Sequence, residues 1–382
     1  MKRIVVLGST GSIGRQTLEV VQRLPHRFEV VGLGAYRDAQ SLLEQAQEWG
    51  VRHLGLIVPP ENGILSEYRL YRGVEGLCEL VSRPEVDIVV VALGGVVALQ
   101  PTLHALRAGK MVALSTKEVL VAGGKVVMDT ARQHRATLLP IDSEHSGAFQ
   151  AIQGEQTHQI ARLVLTASGG PFRTRPLDTF HTIQVEEALQ HPNWNMGAKI
   201  TVDSATMMNK GLEVIEAQWL FNLDLSQVEV LIHPQSIVHA LVEYDDGSVI
   251  AQLSLPDMRL PIQYALVYPE RLNTGLPRLR LEQVGALTFE TPDFQRYPCL
   301  RLAYESARVG GTMPTVLNAV NELAVRLFLE RRIGFTHIAE LVEAVMERHE
   351  PTEPTLEAVL ETDRWARQTA LQTLGGSQPI IS

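Results

Sequence analysis

Three carboxylates open the chemical reading of this chain. Asp142 and Glu144 stand one residue apart in PIDSEHSGAFQ, at the end of the apolar run ATLLPI, and Glu213 follows Asn209 and Lys210 in NKGLEVIEA. In an extended segment alternate side chains share a face, so Asp142 and Glu144 are expected to point the same way and Ser143 the other. Two like charges so placed repel unless something positive sits between them. On a helix, Asn209 and Lys210 lie four and three residues before Glu213 and share its face. An all-oxygen set of this kind suits Mg²⁺ or Mn²⁺ rather than Zn²⁺. The alternative is three solvated surface acids, the usual fate of Asp and Glu. His145, His191, His233 and His239 form no H-x-x-x-H or H-E-x-x-H pattern, so substrate hydrogen bonds or structural roles are expected of them.

Further polar segments read as a polyanion cradle. TASGGPFR offers Ser168 with the backbone of Gly169 and Gly170, HPNWNMGAK offers His191 and Asn193, and SATMMNKG offers Ser204, Asn209 and Lys210. Hydroxyl, amide and ammonium donors bind phosphate, and glycine exposes backbone N–H groups to it. Ser-Gly-Gly-Pro read alone is equally a turn. In HPNWNMG a Pro and a Gly bracket Trp194 and Met196, as a lid that excludes water requires. A buried aromatic anchor is the competing reading.

At the other end of the chemistry, the first apolar run enters GSTGSIG, with Gly8, Gly11 and Gly14 spaced G-x-x-G-x-x-G before a helix candidate beginning near Ile13. Glycine permits the tight turn and close approach to a pyrophosphate, which the helix N-terminus attracts. The second strand candidate ends in GAYRD, which places Arg37 where a ribose phosphate is held and so favours NADPH over NADH. Asp38 beside it pulls the other way, and a solvated Arg is the plain alternative.

These groups need a scaffold. The stretches RIVVLG, FEVVGLGA, HLGLIV, VDIVVVALGG, KMVALST and ATLLPID alternate with amphipathic stretches such as GRQTLEVVQRL and AQSLLEQAQEWG. That alternation predicts a doubly wound parallel sheet over residues 1–141. From 142 to 273 the texture predicts an α+β domain, with SIVHALVEYDDGSVIAQLS as a hairpin around an Asp-Asp-Gly turn. A Pro-punctuated linker over 274–298 precedes a helical domain over 299–382, whose GGSQPIIS tail is expected to fray. With 382 residues, two or three domains are the prior. A net charge of -9 disfavours non-specific nucleic-acid binding. Cys78 and Cys299 are the only cysteines, which suits a reducing cytoplasm, and no apolar segment is long enough for a membrane span or a secretory leader.

Taken together, GSTGSIG, PIDSEHSGAFQ, TASGGPFR, HPNWNMGAKITVDSATMMNKGLE, HPQSIVHALVEYDDGSVIAQL and GGTMPTVLNAVNELAV closely resemble the 1-deoxy-D-xylulose 5-phosphate reductoisomerase family over nearly the whole chain. The resemblance implies a homodimer, with the hairpin around Asp246 in the interface sheet. It implies metal ligation by Asp142, Glu144 and Glu213, and substrate contacts from Ser168, Ser204, Asn209 and Lys210, with Ser143 and Lys117 near the metal. Catalytic roles fall to Lys117, Glu144, His191 and Glu213, and a mobile loop over 191–197 carries Trp194 as its cover. The implied cofactor contacts are Gly8, Ser9, Thr10, Gly11, Ser12, Ile13 and Gly14, then Ala35, Tyr36, Arg37 and Asp38, then Thr116, Glu118, Gly197 and Met258. Two departures touch that set: the family usually has Asn where Thr116 stands, and Gly, a basic or small residue and Asn where Tyr36, Arg37 and Asp38 stand. The implied reaction is a metal-assisted rearrangement of a phosphoketose to a branched aldehyde, which NADPH then reduces. A metal-independent NADP-dependent dehydrogenase of the semialdehyde or homoserine type is the alternative.

Overall fold

The computed structural model describes residues 1–60, 67–194 and 196–375; the tail beyond Gly375 and residue 195 of the expected lid lie outside them. In chain order the first half contains β1 (Lys2–Leu7), α1 (Ser12–Gln22), β2 (Phe28–Ala35), α2 (Ala39–Trp49), β3 (His53–Leu56), β4 (Arg69–Arg72), α3 (Gly73–Ser82), β5 (Ile88–Val91), α4 (Leu99–Arg107), β6 (Met111–Leu114), α5 (Lys117–His134), β7 (Leu138–Pro140) and α6 (Ser143–Ala151). There follow β8 (Ile160–Ala167), α7 (Val185–Ala188), α8 (Ala198–Ala205), α9 (Met208–Phe221), β9 (Val228–Ile232), β10 (Val238–Tyr244), β11 (Val249–Leu253) and α10 (Arg259–Val267). The chain closes with α11 (Leu281–Val284), α12 (Pro298–Val309), α13 (Met313–Leu329), α14 (His337–Met346) and α15 (Leu356–Gly375). It forms two compact units, one of Met1–Val119, Lys125–Ser146 and Asp257–Pro277, the other of Leu120–Gly124, Gly147–Pro256 and Arg278–Ser382.

In the first unit seven parallel strands lie in the order β4-β3-β2-β1-β5-β6-β7. The apolar runs became strands because their residues are buried on both faces: Ile4 to Leu7 and Ile88 to Val91 are all at or below 1% exposed. The chain winds outward from β1 to β4 and returns to β5 on the other side of β1. That reversal leaves a crevice at the carboxyl ends of the central strands, where the glycine turn lies. Strand β4 was not among the expected strands, and the reason is physical: as an edge strand it buries only Tyr71, so RLYR carries no apolar run. Helix α10 belongs to this unit, packing on α1. Arg259, at its first position, pairs with Asp257 at 2.6 Å and with Glu19 of α1 at 2.7 Å.

The second unit holds a four-stranded mixed sheet, β11-β10-β8-β9, parallel only between β8 and β9. The expected hairpin is present: Tyr244 N–H donates to Ser248 O at 2.9 Å, and Gly247 takes the positive φ of 83° that the turn demands. The helical C-terminus shares one core with α8 and α9, centred on α13, whose Val316, Leu317, Val320 and Ala324 are fully buried. Phe335 sits edge-on to Phe172, Phe180 and Phe328 at ring separations of 5.3, 6.2 and 5.8 Å, and so ties the segment after Gly170 to these helices.

Two outcomes follow from this packing. Phe335→Ala should cost about 3–5 kcal/mol, read as a lower urea midpoint, because the cavity opens among three rings that cannot all collapse into it. Hydrogen bonds from Arg259 hold both the Asp257 and Glu19 carboxyls below their usual range. A depressed folded-state pKa contributes stability above the unfolded value of about 4, and that stability is lost as pH falls through the folded value. Arg259→Met should therefore give a shallower decline in melting temperature between about pH 5 and pH 3 than the native chain shows; an unchanged slope would remove this pair from the account.

Candidate active site

The turn after β1 is locked by the strands and helices around it. Gly8 N–H and Ser9 N–H both donate to Gly34 O, at 2.7 and 2.9 Å, Gln45 of α2 donates to Ser9 O at 2.8 Å, and Arg15 to Thr10 O at 2.8 Å. The glycines divide into two kinds. Gly8 has φ 83°, and a Cβ there would lie 2.2 Å from Ala92 O; a Cβ on Gly14 would lie 2.2 Å from Gly8 O. The fold itself forbids side chains at both. Gly11 has an ordinary φ of −79°, is exposed, and would meet only Gly8 O at 3.3 Å. Space is therefore kept clear at Gly11, the N-cap of α1, where no side chain caps the helix and no acid occupies its first turn. Ser12 and Ile13 begin that helix, whose partial positive end attracts an anion.

At the end of β2, Ala35 is buried and Tyr36 and Arg37 are exposed, with the Arg37 guanidinium 5.5 Å from the Tyr36 ring centroid. Asp38 is the N-cap of α2, and its carboxylate accepts from Ser41 N–H at 3.1 Å. The acid that competes with Arg37 in the sequence is thus engaged in capping a helix. Thr116 donates from its hydroxyl to Val91 O at 3.2 Å and Leu93 O at 2.9 Å, fastening the end of β6 to β5. Glu118, two residues on, is buried in the first turn of α5. Met258 is the N-cap of α10, within the same unit as the glycine turn.

The acids do not lie on an extended strand, contrary to the expectation from PIDSEHSGAFQ. Strand β7 ends at Pro140, and Asp142 begins a helix: its Oδ1 accepts from Glu144 N–H at 3.2 Å and His145 N–H at 3.4 Å, and its carbonyl accepts from Ser146 N–H at 2.9 Å. An Asp at a strand-to-helix junction satisfies the helix's first donors, which outweighs continuing the strand. The other Asp142 oxygen accepts from the buried Lys117 ammonium, and His145 Nδ1 lies 3.6 Å from Oδ1. Ser143 donates to Glu144 Oε2 at 2.7 Å. On α9, as the helical spacing predicts, Asn209 donates to Glu213 Oε1 at 2.6 Å and Lys210 pairs with Oε2; Glu213 is 1% exposed. Asp142 and Glu144 stand in the first unit and Glu213 in the second, and each offers carboxylate oxygens. Hard oxygen donors of this kind suit a small divalent cation.

In the second unit Ser168, Gly170, His191 and Ser204 come together. Gly169 and Gly170 take φ of 81° and 66°, and Gly170 N–H donates to Ser168 Oγ at 3.1 Å. His191 Nε2 lies 3.0 Å from Ser168 Oγ, while its Nδ1 accepts from Asn193 N–H at 3.1 Å and Trp194 N–H at 2.9 Å. Those two backbone donors fix the neutral tautomer with the proton on Nε2, which donates toward Ser168. In the last turn of α8 Ser204 lies against Gly170, where a Cβ would meet Ser204 O at 2.7 Å, and Gly197 is the N-cap of the same helix. Trp194 leans on His239, ring centroids 6.4 Å apart. His233 is structural, stacked on Phe289 at 4.7 Å and bonded to Thr288 O at 2.9 Å. Missed in the sequence was the anchorage of the lid segment, in which the Asn193 amide donates to Pro234 O at 2.7 Å and Ser236 Oγ at 2.8 Å. The turn-forming HPQS segment was its only signal.

Known proteins place this geometry. Residues 4–124 match the family model for 1-deoxy-D-xylulose 5-phosphate reductoisomerase, and residues 138–221 and 253–369 match models for C-terminal domains of the same enzyme. The 1-deoxy-D-xylulose 5-phosphate reductoisomerase of Pelotomaculum thermopropionicum is 52% identical over 98% of this chain and 99% of its own, and that of Heliobacterium modesticaldum 51% identical over 100% and 99%. A solved reductoisomerase in complex with NADPH, fosmidomycin and magnesium superposes with a TM-score of 0.93 at 40% identity, covering 98% of each chain. The Zymomonas mobilis enzyme in complex with NADPH gives 0.91 at 41% identity, over 98% of this chain and 99% of its own. On this full-length agreement, the chain belongs to the 1-deoxy-D-xylulose 5-phosphate reductoisomerase family.

Proposed function

We propose that this chain rearranges and reduces 1-deoxy-D-xylulose 5-phosphate to 2-C-methyl-D-erythritol 4-phosphate, in isoprenoid precursor synthesis, using NADPH and Mg²⁺ or Mn²⁺. The observation that carries this reading is the match to the family from end to end, in a chain that keeps the three acids Asp142, Glu144 and Glu213. When bound, the cation supplies Lewis acidity to a chelated carbonyl and hydroxyl, and the nicotinamide supplies a hydride.

The rest is done by the chain's own side chains. Lys117 and Lys210 offset the charge of Asp142 and Glu213, so that acids can be held together without an ion already present. Ser168, His191, Ser204, Asn209 and Lys210 offer donors to the substrate's phosphate and hydroxyls, with Ser143 beside Glu144. His191 Nε2 is bonded to Ser168 Oγ, and binding a phosphate at this pair spends energy on orienting the reacting carbons. Trp194 covers the substrate and excludes water. The cleared surface at Gly11 and the first turn of α1 take the pyrophosphate, with Ser9, Thr10, Ser12 and Ile13 shaping the turn and Gly8 and Gly14 letting it form. Arg37 with Tyr36 takes the ribose phosphate, and Ala35, Asp38, Thr116, Glu118, Gly197 and Met258 complete the cofactor contacts.

The chain is assigned to a homodimer in the cytoplasm. Edge strand β11 exposes Val249 and Ile250, a surface that pairing of two sheets would cover. Cys78 and Cys299 are both buried and unbridged, in keeping with a reducing compartment. Among the described residues no helix is long and apolar enough to cross a membrane.

Glu213→Gln should lower kcat by about a hundredfold or more, some 2.7 kcal/mol of barrier, and raise the Mg²⁺ concentration needed for half activity. The assay is NADPH oxidation by chelator-treated protein given the phosphoketose and titrated with metal. Native protein that turns over equally well without metal would return the reading to a simple dehydrogenase. Gly11→Val should weaken NADPH about tenfold or more, equivalent to 1.4 kcal/mol, with little change in melting temperature, since only the ligand needs that space. Equal losses of stability and affinity would make Gly11 a folding glycine like its neighbours.

A further inference from the structure

Helix α8 runs from the end of the lid segment to Ala205, and its inner face carries a carboxylate that the reaction does not use. Asp203 is 1% exposed, between the buried Val202 and Ala205, with α13 and its apolar side chains in the same core. A carboxylate in such surroundings is expensive, and a buried ion pair is weak evidence of added stability, because a hydrophobic pair of similar shape often does as well. Its retention calls for another account. Its hydrogen bonds supply one.

Oδ2 of Asp203 lies 2.9 Å from the Lys199 ammonium, one turn earlier on α8, and Oδ1 accepts from the Asn321 amide of α13 at 2.8 Å. Asn321 is fully buried, and among the described residues nothing donates to its Oδ1, so the amide is turned to serve Asp203 at a cost to itself. The backbone of Asp203 is engaged as well: its carbonyl accepts from Thr206 Oγ1 at 3.2 Å, and that hydroxyl accepts from Met208 N–H at 3.3 Å. Between them Met207 takes a left-handed φ of 61°, the bend that turns α8 into α9. One residue therefore ties α8 to α13 through its side chain and to the start of α9 through its carbonyl. The groups that move with this junction are Ser204, Asn209 and Lys210, and Gly170 lies directly on Ser204 and Ala205. The charge of Asp203 is also felt nearby, since burial first and Asp203 second push the Cys299 thiol up to about 12.

We propose that Asp203 is a positioning residue for recognition of the substrate's phosphate. Through Asn321 and Lys199 it fixes the pose of α8, and so sets Ser204 against Gly170, beside Ser168, and the root of the lid against the helical core. This rests on the proposed reaction, and the test separates the two. In Asp203→Asn, two amides face one another where a carboxylate met an amide, with volume unchanged. Steady-state NADPH oxidation with Mg²⁺ should show the KM for 1-deoxy-D-xylulose 5-phosphate raised about tenfold or more, with kcat reduced less than threefold and NADPH affinity within twofold of native. The exchanged pair, Asp203→Asn with Asn321→Asp, restores the carboxylate–amide bond and should recover most of the loss in KM. Asn321→Ala, a milder change should Asp203→Asn fail to fold, should raise the same KM severalfold. A KM within twofold of native in the folded variants, or equal losses in KM, NADPH affinity and melting temperature that the exchange does not repair, would overturn the proposal. Native protein that does not oxidise NADPH with this substrate would overturn the reaction and the proposal together; native turnover with unaffected variants would overturn the proposal alone.

Discussion

Like charge held together against its own repulsion is the constraint from which the site's construction follows. Asp142 and Glu144 stand one residue apart at the start of one helix and Glu213 is 1% exposed, settings that are costly for bare carboxylates. Each end of the set is given a counter-charge from a buried lysine, Lys117 against Asp142 and Lys210 against Glu213. The acids are further restrained by local donors: helix N–H groups on Asp142, the Ser143 hydroxyl on Glu144 and the Asn209 amide on Glu213. Each acid is thus held in place by its own neighbours before any ligand arrives.

Much of this was legible in the sequence, for reasons that differ by element. Strands β1, β2, β5 and β6 announced themselves because burial on both faces demands unbroken apolar runs, and α9 because Asn209, Lys210 and Glu213 recur at helical spacing. The hairpin was legible because an Asp-Asp-Gly turn and period-two alternation encode it locally. What escaped was settled by partners distant in the chain or by competition at a junction. Asp142 reads as strand until its value as a helix cap is weighed, and Asp38 reads as a ribose acid until α2 claims it. Asp203 meets Asn321 across 118 residues, and nothing in TVDSA hints at that bond.

The histidines illustrate the same distinction from the side of function. Spacing alone argued against a metal role for all four, but could not rank them. In the structure His191 is oriented by two backbone N–H groups toward Ser168, His145 lies against Asp142, His239 backs Trp194, and His233 is stacked on Phe289. Their neighbours, not their own chemistry, give them four different tasks.

The return of Asp257–Pro277 to the nucleotide-binding unit has a consequence for how the molecule is made. A chain emerging from the ribosome presents all seven parallel strands by residue 140, yet α1 then lacks the helix that packs on it, and Glu19 lacks Arg259. That unit is completed only after the four-stranded sheet has been synthesised, so the two units are not successive products of translation. The first must wait, part-built, for a piece delivered by way of the second.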